Sequence, residues 1–236
     1  MRRPRTVAIV QARINSQRFP GKMMQDLEGA PIIEWVLRRT AKARLLDDVV
    51  LATTEHPIDE PLVAIARRLG IRIFRGDEKD VLGRYARAAE MSAAETIVRI
   101  CADRPLVDPD VVDLAIRVFD ELKPDLAFNH ISENGERWPR GFGAEVLSAS
   151  LVAWMDQHAK APDDREHVTI HLWKHRDRYR IVAAKCPPEL DPGIPDLKLD
   201  LDTFEDLQRL RTLCGGASID VSAVHIVARW REVMAA

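Results

Sequence analysis

Several things that would announce a compartment or a partner are missing from this 236-residue chain. Cysteine is scarce: Cys101, Cys186 and Cys214 are odd in number, far apart and without a C-x-x-C pair, which argues against a disulfide framework. Charge of one sign is missing too. Lys and Arg number 35 against 37 Asp and Glu, a net charge of -2, whereas a general nucleic-acid binder carries a basic surplus. Long apolar runs are absent. The start, MRRPRTVAIVQAR, is basic but has only the apolar run Val7 to Val10 before Gln11. That is too short for a signal-peptide core, and a spanning helix needs about 20 apolar residues. A cytoplasmic protein with neither nucleic acid nor membrane among its partners is therefore expected. Internal repeats, low-complexity tracts and a clear linker are also lacking.

What is present is a 46% hydrophobic composition, enough for a sizeable core. Apolar runs of strand length alternate with helical patterns. Strands are expected at 6–12, 48–54, 71–76, 96–102 and 126–129, where β-branched residues concentrate. Helices are expected between them. Pro31 suits a first turn, Gly70 a stop, and Asp80 and Asp108 are N-cap residues, the latter followed by Pro109. This β-α-β-α order predicts an α/β fold with a mostly parallel sheet and helices on both faces. The second half is less regular. HISENGERWPRGFG (130–143) is polar and turn-rich, and 186–196 is a proline-rich loop. A strand is expected at 144–148, helices at 149–160 and 165–176, and a strand at 179–185. LKLDLD (197–202) alternates like a strand, followed by a helix with Thr203 as cap and Asp206 completing a capping box. One α/β domain over 1–236, with an inserted arm at about 130–195, fits best.

Ligands of such sheets bind beyond the carboxyl ends of the strands. There, after the first strand, stands QARINSQRFPGK. No glycine at P-loop spacing precedes Gly21-Lys22 and no Ser or Thr follows, so it is not a Walker A loop, nor is it G-x-G-x-x-G. It offers Arg13, Arg18, Lys22, Ser16 and free backbone N–H groups, with Pro20-Gly21 to shape a turn. Such a loop can wrap a triphosphate. By composition alone, a solvated loop is an equal reading.

QARINSQRFPGK resembles the signature of the sugar-acid cytidylyltransferases, roughly Q/P-A-R-x-x-S-x-R-L-P-G-K, and above all their spore-coat polysaccharide branch. Further blocks follow in order. FRGDEKDVLGRYARAA is similar to F-R-G-x-x-x-D-V-L-x-R-Y, IVRICADRPLVDP to I-V-R-I-T-G-D-C-P-L-I-D-P, and WPRGFGAEVLS to Y-P-R-G-L-D-V-E-V-F-S. VVLATT and REHVT match as well, and LDLDTFEDL is similar to L-T-V-D-T-P-E-D-L. The resemblance implies a three-layer glycosyltransferase-A-like, nucleotide-diphospho-sugar transferase fold, CTP as co-substrate, Mg²⁺ as cofactor, and a homodimer contacting through the arm. It implies that Arg13, Ser16, Arg18 and Lys22 hold phosphates, that Ala12 backbone reads cytosine, and that Arg84 lies near the nucleotide. Asp103 and Asp202 would hold the metal, with Arg13, Lys22 and Asp103 in the catalytic role. Arg140, Glu145, Arg165 and Glu166 would face a small anionic sugar-acid acceptor. The expected activity is transfer of CMP from CTP to a nonulosonate or KDO-like acid with release of pyrophosphate, for surface polysaccharide or glycan synthesis. Alternatives are a glycosyltransferase or uridylyltransferase on the same fold, or a non-catalytic nucleotide-binding homologue.

The residues themselves reach part of the way. Mg²⁺ takes one or two carboxylates plus substrate phosphates. Asp103 follows a buried strand and should project at the sheet's carboxyl edge. Asp200 and Asp202 share one side of an extended segment, with Leu197, Leu199 and Leu201 on the other; on pattern alone these are solvated acids. His167, His171 and His175 recur every fourth residue, but H-E-x-x-H is absent, so structural or substrate-facing roles outweigh zinc. Trp35, Trp154, Trp173 and Trp230 are expected in helices and in the core, while Trp138 is a candidate pocket wall. The chain departs from the family pattern at Asn15, Phe19, Ala102, Arg104, Gly143 and Phe204.

Overall fold

A computed structural model describes residues 3–131, 136–193 and 197–235. Parts of two expected loops, 132–135 and 194–196, lie outside the described residues. In chain order the strands are β1 (Thr6–Gln11), β2 (Asp26–Leu27), β3 (Ala30–Pro31), β4 (Asp48–Thr54), β5 (Arg72–Gly76), β6 (Thr96–Cys101), β7 (Leu126–Phe128), β8 (Glu145–Ser148) and β9 (Ile181–Ala183). β2 and β3 form a small antiparallel ribbon, and the other seven make one sheet in the order β5-β4-β1-β6-β8-β7-β9. Only β8 runs against its neighbours.

The helices are α1 (Ile32–Thr40), α2 (Glu60–Arg68), α3 (Val81–Met91), α4 (Pro109–Leu122), α5 (Ala149–His158), α6 (Pro162–Glu166), α7 (Ile170–Lys174), α8 (Phe204–Cys214) and α9 (Ala223–Ala235). Strand alternation divides them into two layers. Ala8 and Val10 of β1 pack in one core with residues of α1, α2, α4, α8 and α9. Val7 and Ile9 pack in another with α3, α5 and α7. Each buried Val or Ile side chain contributes about 1.5–3 kcal/mol on burial, and β1, like β4 and β6, is covered on both faces. Three caps fix where helices begin. Asp80 accepts from the Gly83 N–H, Asp108 from those of Asp110 and Val111, and Thr203 and Asp206 form a reciprocal box. Among the described residues no helix is long and apolar enough to cross a membrane.

The second half departs from the expectations in four places. Residues 165–176 are not one helix: α6 ends at Glu166, His167 leaves helical geometry at ψ 60°, and α7 begins at Ile170. The break turns Val168 and Thr169 inward together, and the Thr169 hydroxyl donates to Glu145. Second, residues 197–202 keep the expected alternation, with Leu197, Leu199 and Leu201 buried, but form only a single bridge between Arg140 and Lys198. Third, Trp138 is 1% exposed and donates its indole N–H to the Ala184 carbonyl at 2.8 Å, so it is core and not a pocket wall. Fourth, Trp154, expected in the core, is 42% exposed and stacks on His158. The stretch 130–195 supplies β8 and β9 to the main sheet and α5 to α7 above it.

Candidate active site

From β1 the chain steps to β4 and β5 on one side, then returns to lay β6 on the other side of β1. The crevice left at this reversal, beyond the carboxyl ends of β1 and β6, is where an open α/β sheet receives a ligand. The loop after β1 folds over it. Gly21 adopts φ +73°, a left-handed turn that glycine makes without strain. Its N–H donates to the Ile14 carbonyl at 3.0 Å, closing the loop. The Ile14 N–H donates at 2.7 Å to Asp59, a carboxylate that also accepts from the hydroxyls of Thr53 and Thr54 at the end of β4. Asp59 is 1% exposed, so the loop is anchored from below by a fully engaged buried acid.

The resulting cleft brings together most of the predicted nucleotide residues: Ala12, Arg13, Ser16 and Lys22 from the loop, Arg84 from α3, and Asp103 after β6. Lys22 is the pivot. Its ammonium donates to the Leu201 carbonyl at 2.6 Å and to Asp202 at 3.2 Å, and lies 3.7 Å from Asp103. Arg18 reaches the same Asp202 oxygen at 2.9 Å. Burial alone would raise the Asp202 carboxyl, but Lys22, Arg18 and Lys198 together hold it below the ordinary aspartate range. The other wall is the β5–α3 turn. Arg84 is buried and donates to the carbonyls of Asp77 and Glu78, and Glu78 meets Arg13 at 3.2 Å. Burial lowers the Arg84 pKa from its usual value.

The expected acceptor residues scatter. Glu166 lines the cleft beside His167. Arg165 is clamped between Asp80 and Asp156 and faces an adjoining hollow. Arg140 is exposed, on the bridge to Lys198. Glu145 is 2% exposed, with both oxygens engaged by Arg99 and Thr169. Burial opposes its ionisation, yet Arg99 holds its pKa at about 2. This arrangement ties β6, β8 and the turn after α6, and leaves no Glu145 oxygen free of protein partners.

Sequence reasoning missed Lys198, which lies 3.6 Å from Asp202, and the Leu201 carbonyl. Lys198 had a signal, because it shares its parity with Asp200 and Asp202 in the alternating run. A backbone carbonyl leaves none. Three of the departures from the family pattern also acquire physical reasons. A Cβ on Gly143 would stand 2.2 Å from the Asn129 carbonyl oxygen and 2.3 Å from its Oδ1, so no aspartate fits there. Phe19 and Phe204 meet edge to face, 6.4 Å between ring centroids.

Two carboxylates converging on one cation suit a divalent ion whose remaining ligands come from phosphate oxygens. Asp103 and Asp202 both face the Lys22 ammonium, at 3.7 and 3.2 Å, and are the acids that would hold such an ion. Among the described residues no group of three or more His, Cys, Asp or Glu forms a ready metal cage. The fold and the site thus define a nucleotide-handling transferase, with basic loop and paired acids at the sheet's switch point.

The profile of the cytidylyltransferase family matches residues 7–222, and the chain belongs to that family. It is 29% identical to the spore coat polysaccharide biosynthesis protein SpsF of Bacillus subtilis, over 93% of this chain and 91% of the relative. It is 38% identical to the 3-deoxy-manno-octulosonate cytidylyltransferase of Geobacter sulfurreducens, over 91% of this chain and 89% of the relative. A cytidylyltransferase structure from Leptospira borgpetersenii superposes with a TM-score of 0.88 at 26% identity, covering 99% of this chain and 96% of that one. The expected nucleotidyltransferase class and nucleotide-diphospho-sugar transferase fold are both met.

Proposed function

We propose that this cytidylyltransferase moves CMP from CTP to a hydroxyl of a nonulosonate or KDO-like sugar acid, releasing pyrophosphate, for surface polysaccharide or glycan synthesis. The observation that carries the reading is the Lys22 ammonium set between Asp103 and Asp202 at the mouth of β1 and β6. Lys22 and Arg13 neutralise charge growing on the leaving pyrophosphate, while Ser16 and Arg18 hold the triphosphate against the loop. Ala12, whose N–H is bound to the Ala52 carbonyl, presents backbone to the base. Arg84 shapes the cleft wall through the two carbonyls it grips. Asp103 and Asp202 would hold Mg²⁺, which would supply further charge neutralisation at the reacting phosphate. Positioning and electrostatics do the rest, and no protein nucleophile is required. Glu166 at the cleft edge, with Arg140 and Arg165 beyond it, is the candidate acceptor surface. We further place the protein in the cytoplasm as one working domain and a homodimer, without nucleic-acid or membrane partners.

The test is pyrophosphate release from CTP with KDO, nonulosonates and phosphonates offered separately. Turnover with one sugar acid, and none with UTP in place of CTP, is the expected result. Heat stabilisation by UTP or UDP-sugars above that by CTP would favour a uridylyl- or glycosyltransferase. Tight CTP binding without pyrophosphate release across the panel would leave a nucleotide-binding protein and no enzyme.

A further inference from the structure

Asp200 is a largely buried acid on the segment that carries Asp202, near enough to Asp103 and Asp202 for their charges to oppose its ionisation. Alternation puts Asp200 and Asp202 on the same side of their segment, yet among the described residues Asp200 does not join Asp103 and Asp202 in a group that could hold a metal ion. The structure gives it a different partner. Arg104, directly after Asp103, lies with Nε 3.5 Å from Asp200 Oδ1, both side chains largely buried. Its Nη1 donates to the Gly143 carbonyl at 3.4 Å. One residue on, the Leu201 N–H donates to the Asp103 carbonyl at 2.7 Å. Residues 103–104 and 200–202 are therefore joined twice, once by backbone and once by charge. Arg104 Nε and Asp200 Oδ1 make no hydrogen bond among the described residues. Charge holds this pair, and without Arg104 the largely buried Asp200 carboxylate would lose the cation beside its Oδ1. Arg104 also stands where the resembling motif carries Cys.

We propose that Arg104 is a positioning residue that withdraws Asp200 from the cleft's carboxylates, limiting the acids offered to a divalent cation to Asp103 and Asp202. The proposal rests on reading the cleft as a metal-assisted nucleotide site. It is tested by titrating the full-length protein with Mn²⁺, followed by its electron paramagnetic resonance signal, with and without CTP. Arg104→Met should tighten Mn²⁺ binding by about tenfold, since added ligand charge raises affinity for a hard cation. Asp200→Asn should change it by less than about threefold, and Arg104→Met/Asp200→Asn should return to within about threefold of wild type. A merely structural role for Arg104 would lower thermal stability without tightening Mn²⁺. Unchanged Mn²⁺ affinity in a folded Arg104→Met protein would overturn the proposal. So would a tenfold loss in Asp200→Asn, which decides the matter even if Arg104→Met fails to fold. Absence of Mn²⁺ binding by wild type, with CTP and without, would overturn the reading of the cleft itself and this proposal with it. Mn²⁺ bound by wild type but indifferent to Arg104 would overturn this proposal alone.

Discussion

Replacing Lys22 by methionine removes one ammonium and keeps most of the stem that fills its buried channel. In the resting fold the loss is confined. Asp202 keeps Arg18 at 2.9 Å and Lys198 at 3.6 Å, so its charge stays compensated. The Leu201 carbonyl loses its donor at 2.6 Å. A hydrogen bond to a charged group contributes about 1.5–3 kcal/mol. At about 2–4 °C per kcal/mol for a chain of this size, the melting temperature should fall by about 3–12 °C. The effect on turnover should be larger. Removing one preorganised charge partner of a developing anion lowers kcat by about 10²–10³-fold, or about 2.7–4 kcal/mol. The assay is pyrophosphate release at 25 °C, where the variant remains folded, with circular dichroism melting in parallel. A Lys22→Met protein that is folded and within about threefold of wild-type kcat would refute the role assigned to the ammonium.

Other consequences are as definite. Asp103→Asn should abolish metal-dependent pyrophosphate release while leaving the melting curve close to wild type; retained turnover would remove Asp103 from the site. Gly143→Ala should destabilise the protein by about 1–3 kcal/mol, because the Asn129 backbone oxygen in its path cannot swing away like a side-chain end; an unshifted urea midpoint would contradict the packing. His130 is buried, and burial first, then Arg104, lowers its pKa to about 3. Between about pH 6.5 and 3 the unfolded chain binds a proton there that the folded chain does not, so stability falls as pH falls. At pH 5 the loss is about 2 kcal/mol relative to neutral pH. His130→Gln should lose that much less on acidification from pH 7 to 5, and equal losses in both proteins by urea titration would refute it.

The order of strands and helices was legible because it rests on local facts. The β-branched runs at 6–12 and 96–102 become adjacent parallel strands, and Asp80, Asp108 and Thr203 cap helices as their positions require. The basic loop was legible as a candidate because Arg13, Arg18 and Lys22 follow a strand end, though by composition alone a solvated loop was an equal reading. What stayed hidden depends on partners distant in sequence. Glu145 reads as an acid open to a ligand until Arg99 and Thr169 are placed around it. Residues 165–176 keep helical spacing, yet Val168 and Thr169 turn toward the sheet, and tertiary burial overrides the local pattern. The 197–202 run alternates because its leucines are buried, not because a strand lies beside it, since covering a core needs alternation and no ladder.

The Lys22 contact with Leu201 spans 179 residues. On the ribosome, where chains grow from the amino terminus at about 5–20 residues per second, β1 and its basic loop emerge long before the acids that neutralise Lys22. No nascent chain that stops short of residue 202 can close the cleft, however complete its central strands. Contacts of such long sequence separation also carry the largest loop-closure cost. Closure of this cleft therefore reports that synthesis and folding have both passed residue 202.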